Sequence, residues 1–157
     1  MPHIHEKIDF TVETFIVYKD RVLLRLHDKY KIWLSVGGHI ELDEDPNQAA
    51  IREVSEEVGL IVHLVGTVPL SESTSENFME LLAPRFLNRH RISPGHEHIT
   101  FIYFAKSDTD LISPQESEKN QECYWFSYQD LDNPQYNLMP NIKFYAKTAL
   151  QELGEKT

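Results

Sequence analysis

GHIELDEDPNQAAIREVSEEVGL, residues 38–60, sets seven acidic side chains against one arginine. The stretch is punctuated as a helix. Asp45 is a good N-cap, Pro46 suits the first helical position, and Gln48, three residues after the cap, completes a capping-box pattern. Gly59 stands where a left-handed residue ends a helix, so about 13 helical residues are expected between these signals. At about 100° per residue, Ala50, Val54 and Val58 share one arc with Ile51 beside them, and Glu53, Glu56 and Glu57 share another centred roughly 120° away. The first arc is expected to pack and the second to face solvent.

Like charges at this spacing destabilise a helix by about 0.2–0.5 kcal/mol per pair. Arg52 is one cation and cannot neutralise three acids, so the trio reads as a site lacking its counter-ion. A charge run is most often only a solvated face. The flanking residues shift that balance, because Gly37 and Gly38 permit close backbone approach and Glu44 lies at the turn into the helix. An all-oxygen carboxylate set suits a hard cation such as Mg²⁺ or Mn²⁺ better than zinc, which favours His and Cys.

Outward from this helix, strand and turn signals alternate. Phe10–Tyr18 and Arg21–His27 are apolar, β-branched runs separated by Lys19-Asp20, and they read as a hairpin. Trp33–Val36 reads as extended, Gly37-Gly38 as a backbone break, and His39–Leu42 as extended again. Leu60–Val68, His98–Lys106 and Glu122–Tyr128 are further strands. Asn141–Leu153 carries Ile142, Tyr145, Ala146, Ala149 and Leu153 on one helical face, with Pro140 placed as a first-turn proline. Pro69–Gly95 admits either a short helix or an irregular strand, with Pro84 limiting both. The polar run from Ser107 to Gln121 reads as a surface loop.

The chain has 157 residues, 41% of them hydrophobic, which is enough for one packed core, and no linker divides it. A single domain over residues 1–157 is the expectation. A formal charge of −10 argues against nonspecific binding to a nucleic-acid polymer or an anionic membrane surface. The lone Cys123 precludes an internal disulfide, the start lacks a signal-peptide pattern, and no apolar run is long enough to span a bilayer, so a cytoplasmic location is expected.

Gly38, five residues, Glu44, seven residues, Arg52-Glu53-Val54, one residue, Glu56-Glu57, one residue and Gly59-Leu60 together resemble the Nudix box, in which an aliphatic residue follows the Arg-Glu pair and the last glycine. Every fixed position matches, and the surrounding hairpin, strands and C-terminal helix are similar to that family over most of the chain. The resemblance implies an α/β fold, a Nudix-type α/β/α sandwich with a mixed central sheet. It implies hydrolysis of the pyrophosphate linkage in a nucleoside diphosphate joined to another group, with Mg²⁺ or Mn²⁺ as cofactor. The partner implied is that small molecule, with no nucleic-acid polymer and no membrane, and with a homodimer as one assembly the family allows. By the same resemblance Glu53, Glu56 and Glu57 hold metal, with a carbonyl of Gly37 or Gly38 as a further ligand. Arg52 orients the box glutamates, Glu44 supports the loop, and Gly59 stops the helix.

The general base is open among Glu53, Glu97 at the entry to the His98 strand, and the loop acids Glu116 and Glu118, with Glu53 and Glu97 favoured. Two other classes fit these residues less well. An isomerase of the isopentenyl diphosphate type needs a placed cysteine, and Cys123 comes late in the chain. A noncatalytic nucleotide sensor commonly has a degraded box, whereas this one is intact. Ser75–Met79 carries neither the proline nor the tyrosine that marks certain subfamilies, and the coenzyme A signature is absent, so the substrate stays open. His96 and His98 read as strand-edge or cleft residues without metal, and His3 and His5 as a mobile start. Trp125, Phe126, Tyr103 and Phe104 read as core aromatics, and Phe78, Phe86 or His90 as candidates to stack on a substrate ring.

Overall fold

The computed structural model describes residues 3–69, 75–119 and 121–156. Among these, eight strands form one mixed sheet. They are β1 (Ile8–Tyr18), β2 (Arg21–Leu26), β3 (Trp33–Leu34), β4 (Val36–His39), β5 (Val62–Val65), β6 (Phe86–Ser93), β7 (His96–Ser107) and β8 (Cys123–Phe126). Helices α1 (Pro46–Val58) and α2 (Pro140–Leu153) cover its two faces. This is the α/β/α arrangement with a mixed sheet that the sequence implies.

The centre of the sheet is a parallel pair, β1 with β7, in register from Ile8 opposite Glu97 to Val17 opposite Lys106. Every other pairing is antiparallel. Along its far edge β1 divides its partners: Thr11 to Thr14 pair with β4, and Val17 and Tyr18 pair with β2. Alternation along the strands then sorts the core. Phe15, Val17, Ile102 and Phe104 meet Ile142, Tyr145 and Ala149 of α2, while Val12, Ile16, Val36 and Tyr103 lie on the α1 side with Ala50, Val54 and Val58.

The expected hairpin forms across Lys19-Asp20, with Lys19 at φ 53°. The glycine pair differs from expectation: Gly37 and Gly38 lie inside β4, paired with Glu13 and Val12, and the sheet ends at His39 instead of resuming there. The Leu60 strand is shorter than its apolar run, because Ile61 is exposed and only Val62–Val65 pairs with β7. The ambiguous segment resolves as β6, which begins at Phe86 just after Pro84 and hairpins through Gly95 onto β7; residues 70–74 of that segment lie outside the described residues. Phe86 packs on Phe104 and Tyr145 in the core, and Phe78 is exposed. Phe126, Tyr103 and Phe104 are buried as expected, whereas Trp125 is half-buried, its indole N–H donating to the Asp110 carbonyl at 3.1 Å.

Helix α1 keeps the punctuation read from its sequence. Asp45 accepts from the Gln48 amide at 2.9 Å and the Gln48 side chain accepts from the Asp45 amide at 2.9 Å, a complete capping box. Gly59 closes the helix at φ 68°. A side chain there would be strained and would also place its Cβ 1.9 Å from the Ser113 carbonyl oxygen. Gly59→Ala is therefore expected to lose about 1–3 kcal/mol from the left-handed conformation alone, with a fall in Tm of about 2–4 °C for each. Thermal denaturation of the two proteins measures this, and an unchanged Tm would contradict the packing of Ser113 against the helix end.

Candidate active site

Contrary to the exposure their shared arc predicts, helix α1 does not present all of its glutamates to water. Glu53 is 3% exposed, and Ile51, assigned to the packing face, is 41% exposed. The helix is rotated so that Glu53 turns into the sheet, and the reason is Gly38. A Cβ on Gly38 would lie 2.3 Å from Glu53 Oε1, so only a glycine leaves room for the carboxylate against β4. Glu57 is similarly drawn in, its Oε2 accepting the Gly37 amide at 3.0 Å. Glu56 is the most open of the three, with a side chain 37% exposed.

Arg52 connects the box. Its Nε and NH2 donate to the two Glu44 oxygens at 2.9 and 2.7 Å, its NH1 to Glu53 at 3.0 Å and Glu56 at 3.1 Å, and its NH2 also to the His39 carbonyl at 3.0 Å. The arrangement holds Glu44 below the usual carboxylate range, chiefly through the Arg52 hydrogen bonds. Arg25 of β2 is a second cation, which sequence reasoning missed. It is 4% exposed, forms an ion pair with Glu57, and reaches Glu118 Oε2 at 3.1 Å and the Gln121 side chain. The available signal was a charge inside the apolar run VLLRL, where strand alternation turns it to the α1 side between Leu24 and Leu26.

Glu118 reaches the site because the loop after β7 is anchored to the end of α1. The Ser113 amide donates to the Val58 carbonyl at 2.9 Å and the Gln115 amide to the Glu56 carbonyl at 3.0 Å, satisfying carbonyls that the helix leaves free. Glu116 points the other way and pairs with Lys119 at the surface. Glu97 is not brought to the box glutamates. It pairs with Arg89 at 2.6 Å and lines a separate hollow with Lys7 and Arg91.

Of the box residues, Gly38 and Glu57 border a cleft of about 350 Å³ that is also lined by Arg25, His27, His39 and Glu118, among others. Burial, reinforced by the Glu57 charge, pushes the Glu53 carboxyl up to about 7 even though Arg52 pulls it down. Burial likewise raises Glu57 against the opposing pull of Arg25. Two cations thus leave the cluster short of positive charge, and its donors are all oxygen. Those residues fit a hard divalent ion.

Beside the cleft, the histidines depart from the reading as a mobile start and simple strand-edge residues. His3 Nδ1 lies 3.0 Å from Asp9 Oδ2, and the amides of Ile4 and His5 donate to Asp9 Oδ1 at 3.1 and 2.6 Å, which ties the N-terminal segment to β1. His96 is buried and His98 is half-buried, with its imidazole depressed to about 4 by burial and by the neighbouring histidines.

The chain matches the family model of the NUDIX domain over residues 12–148. It is 40% identical to a NUDIX-family hydrolase from Clostridium perfringens, with 92% of this chain and 97% of that one covered at a TM-score of 0.84. A NUDIX hydrolase from Nitrosomonas europaea at 18% identity (95% and 93% covered, TM-score 0.61) and a MutT NUDIX hydrolase from Burkholderia pseudomallei at 21% identity (94% and 99% covered, TM-score 0.61) share the fold. An intact box on this fold and this extent of likeness establish that the chain belongs to the Nudix hydrolase family. Among the described residues no helix is long and apolar enough to cross a membrane.

The Glu53 carboxyl gives a pH test of the site. Its folded value of about 7 lies above the ordinary 4.5, so between these values the folded chain keeps a proton that the unfolded chain has released. Without metal, stability from this group falls as pH rises through that window. Glu53→Gln, melted in EDTA, should match wild type near pH 4.5 and become progressively more stable than wild type toward pH 8. A difference in Tm that stays constant across this range would contradict the buried, raised carboxyl.

Proposed function

We propose that this chain is a metal-dependent pyrophosphohydrolase acting on a nucleoside diphosphate linked to another group. The observation that carries the reading is the gathering of Glu53, Glu56 and Glu57 on one helix against β4, with Glu53 on Gly38, Glu57 on the Gly37 amide and lining the cleft, and too few cations nearby to balance them. Glu53, Glu56 and Glu57 would hold Mg²⁺ or Mn²⁺, with a carbonyl of Gly37 or Gly38 as a further donor. When bound, the ion supplies charge neutralisation for the pyrophosphate and lowers the pKa of the attacking water.

The remaining work falls to the protein's own residues. Arg52 fixes the carboxylates of Glu44, Glu53 and Glu56 in one geometry, a positioning role for which a planar guanidinium is suited. Arg25 does the same for Glu57 while holding Glu118 at the cleft. Among the acids considered as proton acceptor, we assign the role to Glu53, which is buried, rigidly held and part of the box. Glu97 is engaged by Arg89 in a different hollow and is assigned no catalytic part. Arg25 and His27 line the cleft and would face the phosphate oxygens.

Phosphate or nucleotide release from a broad panel of nucleoside diphosphate derivatives, with Mg²⁺ and with Mn²⁺, tests the activity. Turnover is expected with at least one class of substrate and should vanish in EDTA. Glu57→Gln should lower it about 10²-fold or more, whereas Glu97→Gln should stay within about threefold of wild type, since a true general base contributes about 10² to 10⁴. Turnover that persists in EDTA would overturn the proposal.

Millimolar Mg²⁺ should also raise the Tm of wild type, because the unfolded chain does not hold the three acids together. Melting curves that superpose with Mg²⁺ and with EDTA would remove the metal from the reading.

A further inference from the structure

A second cluster lies beside the cleft, and its donors differ in kind. Strand register assembles it: β1 and β7 set Asp9 opposite His98, alternation places His96 on the same face as His98, and β4 brings His39 opposite Thr11 on that face. Asp9 is fully buried. Its Oδ2 lies 3.0 Å from His3 Nδ1 and 3.2 Å from the Nε2 atoms of both His39 and His96. One donor atom from each of His3, Asp9, His96 and His98 falls within 4.8 Å of all the others.

Hydrogen bonds do not account for all of this convergence. The Nε2 atoms of His39, His96 and His98 are buried without a hydrogen-bond partner, although those of His39 and His96 lie 3.2 Å from Asp9 Oδ2. Three orphaned imidazole nitrogens around one carboxylate are costly unless something else sits among them. His96 shows what that is. Its Nδ1 donates to the Glu6 carbonyl at 3.1 Å, so in the neutral ring Nε2 carries a lone pair turned toward an anionic oxygen. Two acceptors face to face need a proton or a metal ion between them, and this Nε2 makes no hydrogen bond to Asp9. The same Nδ1 bond to a carbonyl is how proteins orient metal-ligating histidines, and the two amides on Asp9 Oδ1 orient the carboxylate while leaving Oδ2 available.

We propose that His3, Asp9, His96 and His98 bind a divalent transition-metal ion of the zinc class, at a site separate from the box glutamates. A tetrahedral ion bound at about 2.0–2.1 Å spaces its ligands about 3.3 Å apart, close to the separations around Asp9 Oδ2. Nitrogen-rich ligation selects Zn²⁺, Co²⁺ or Ni²⁺ over Mg²⁺, the reverse of the all-oxygen box. The ion pins the N-terminal segment, through His3, to the two central strands. His39 stands between the sites, its ring on Asp9 and its carbonyl on Arg52, so the ion also steadies the start of the box loop.

The test uses the untagged full chain, stripped of metal and dialysed against micromolar Zn²⁺ in millimolar Mg²⁺, with bound zinc measured by elemental analysis. One equivalent is expected in wild type and also in the Glu53→Gln/Glu57→Gln double variant, with affinity at least about 10-fold weaker in His98→Gln and in His3→Gln. His3 lies on a partly exposed segment, so its replacement leaves the core untouched and keeps the test valid if His98→Gln folds poorly. Co²⁺ in place of zinc should give wild type the visible absorption of a tetrahedral nitrogen-rich site, absent from His3→Gln. No retained zinc in wild type, equal retention in both histidine variants, or loss of zinc only in the glutamate double variant would each overturn the proposal, and none of these bears on hydrolysis with Mg²⁺.

Discussion

Much of this structure depends on one guanidinium. Arg52 has five N–H donors, and it directs them at Glu44, Glu53, Glu56 and the His39 carbonyl, joining the loop before the helix, the helix itself and the end of β4. Taking partly buried carboxylates out of water is costly, and a planar, always-charged fork offsets that cost for several at once. A lysine could meet only one or two of these oxygens in the same geometry. The helix can therefore lie with a glutamate turned into the sheet, and the box loop is held to the strand it leaves.

The local signals in the sequence were reliable where the chemistry is local. Asp45, Pro46, Gln48 and Gly59 delimited the acidic helix because caps involve only neighbouring backbone groups. The β1–β2 hairpin followed from its turn for the same reason. What periodicity could not supply was the helix's rotation, which depends on a contact with Gly38, fifteen residues before Glu53. Arg25 was hidden because a lone charge in a strand announces neither its partner nor its burial. His3 and Asp9 meet His96 and His98 only through the β1–β7 pairing, a long-range register with no trace in either segment alone.

The two polar clusters show how one sheet separates chemistries by side. Gly38 and Val12 face α1 and the glutamates, while His39, Thr11 and Thr100 face the other way, with the Thr11 and Thr100 hydroxyls bonded at 2.6 Å. A shift of one residue in β4 would exchange these sets. Glycine at 38 and histidine at 39 thus carry opposite demands, space on one side and a ring on the other, and the pleat alone keeps them apart.

The division of β1 between β4 and β2 has a mechanical consequence. Where the two partner strands part company, the sheet opens into the cleft, so its walls are hydrogen-bonded backbone carrying Arg25 on one side and Gly37, Gly38 and His39 on the other. The Gly37–His39 wall cannot leave the central strand without breaking ladder bonds, and the Arg25 wall is held between β3 and β8. The groove's shape is inherited from the folding of the sheet, and a molecule entering it meets walls whose ordering entropy was already spent when the chain folded.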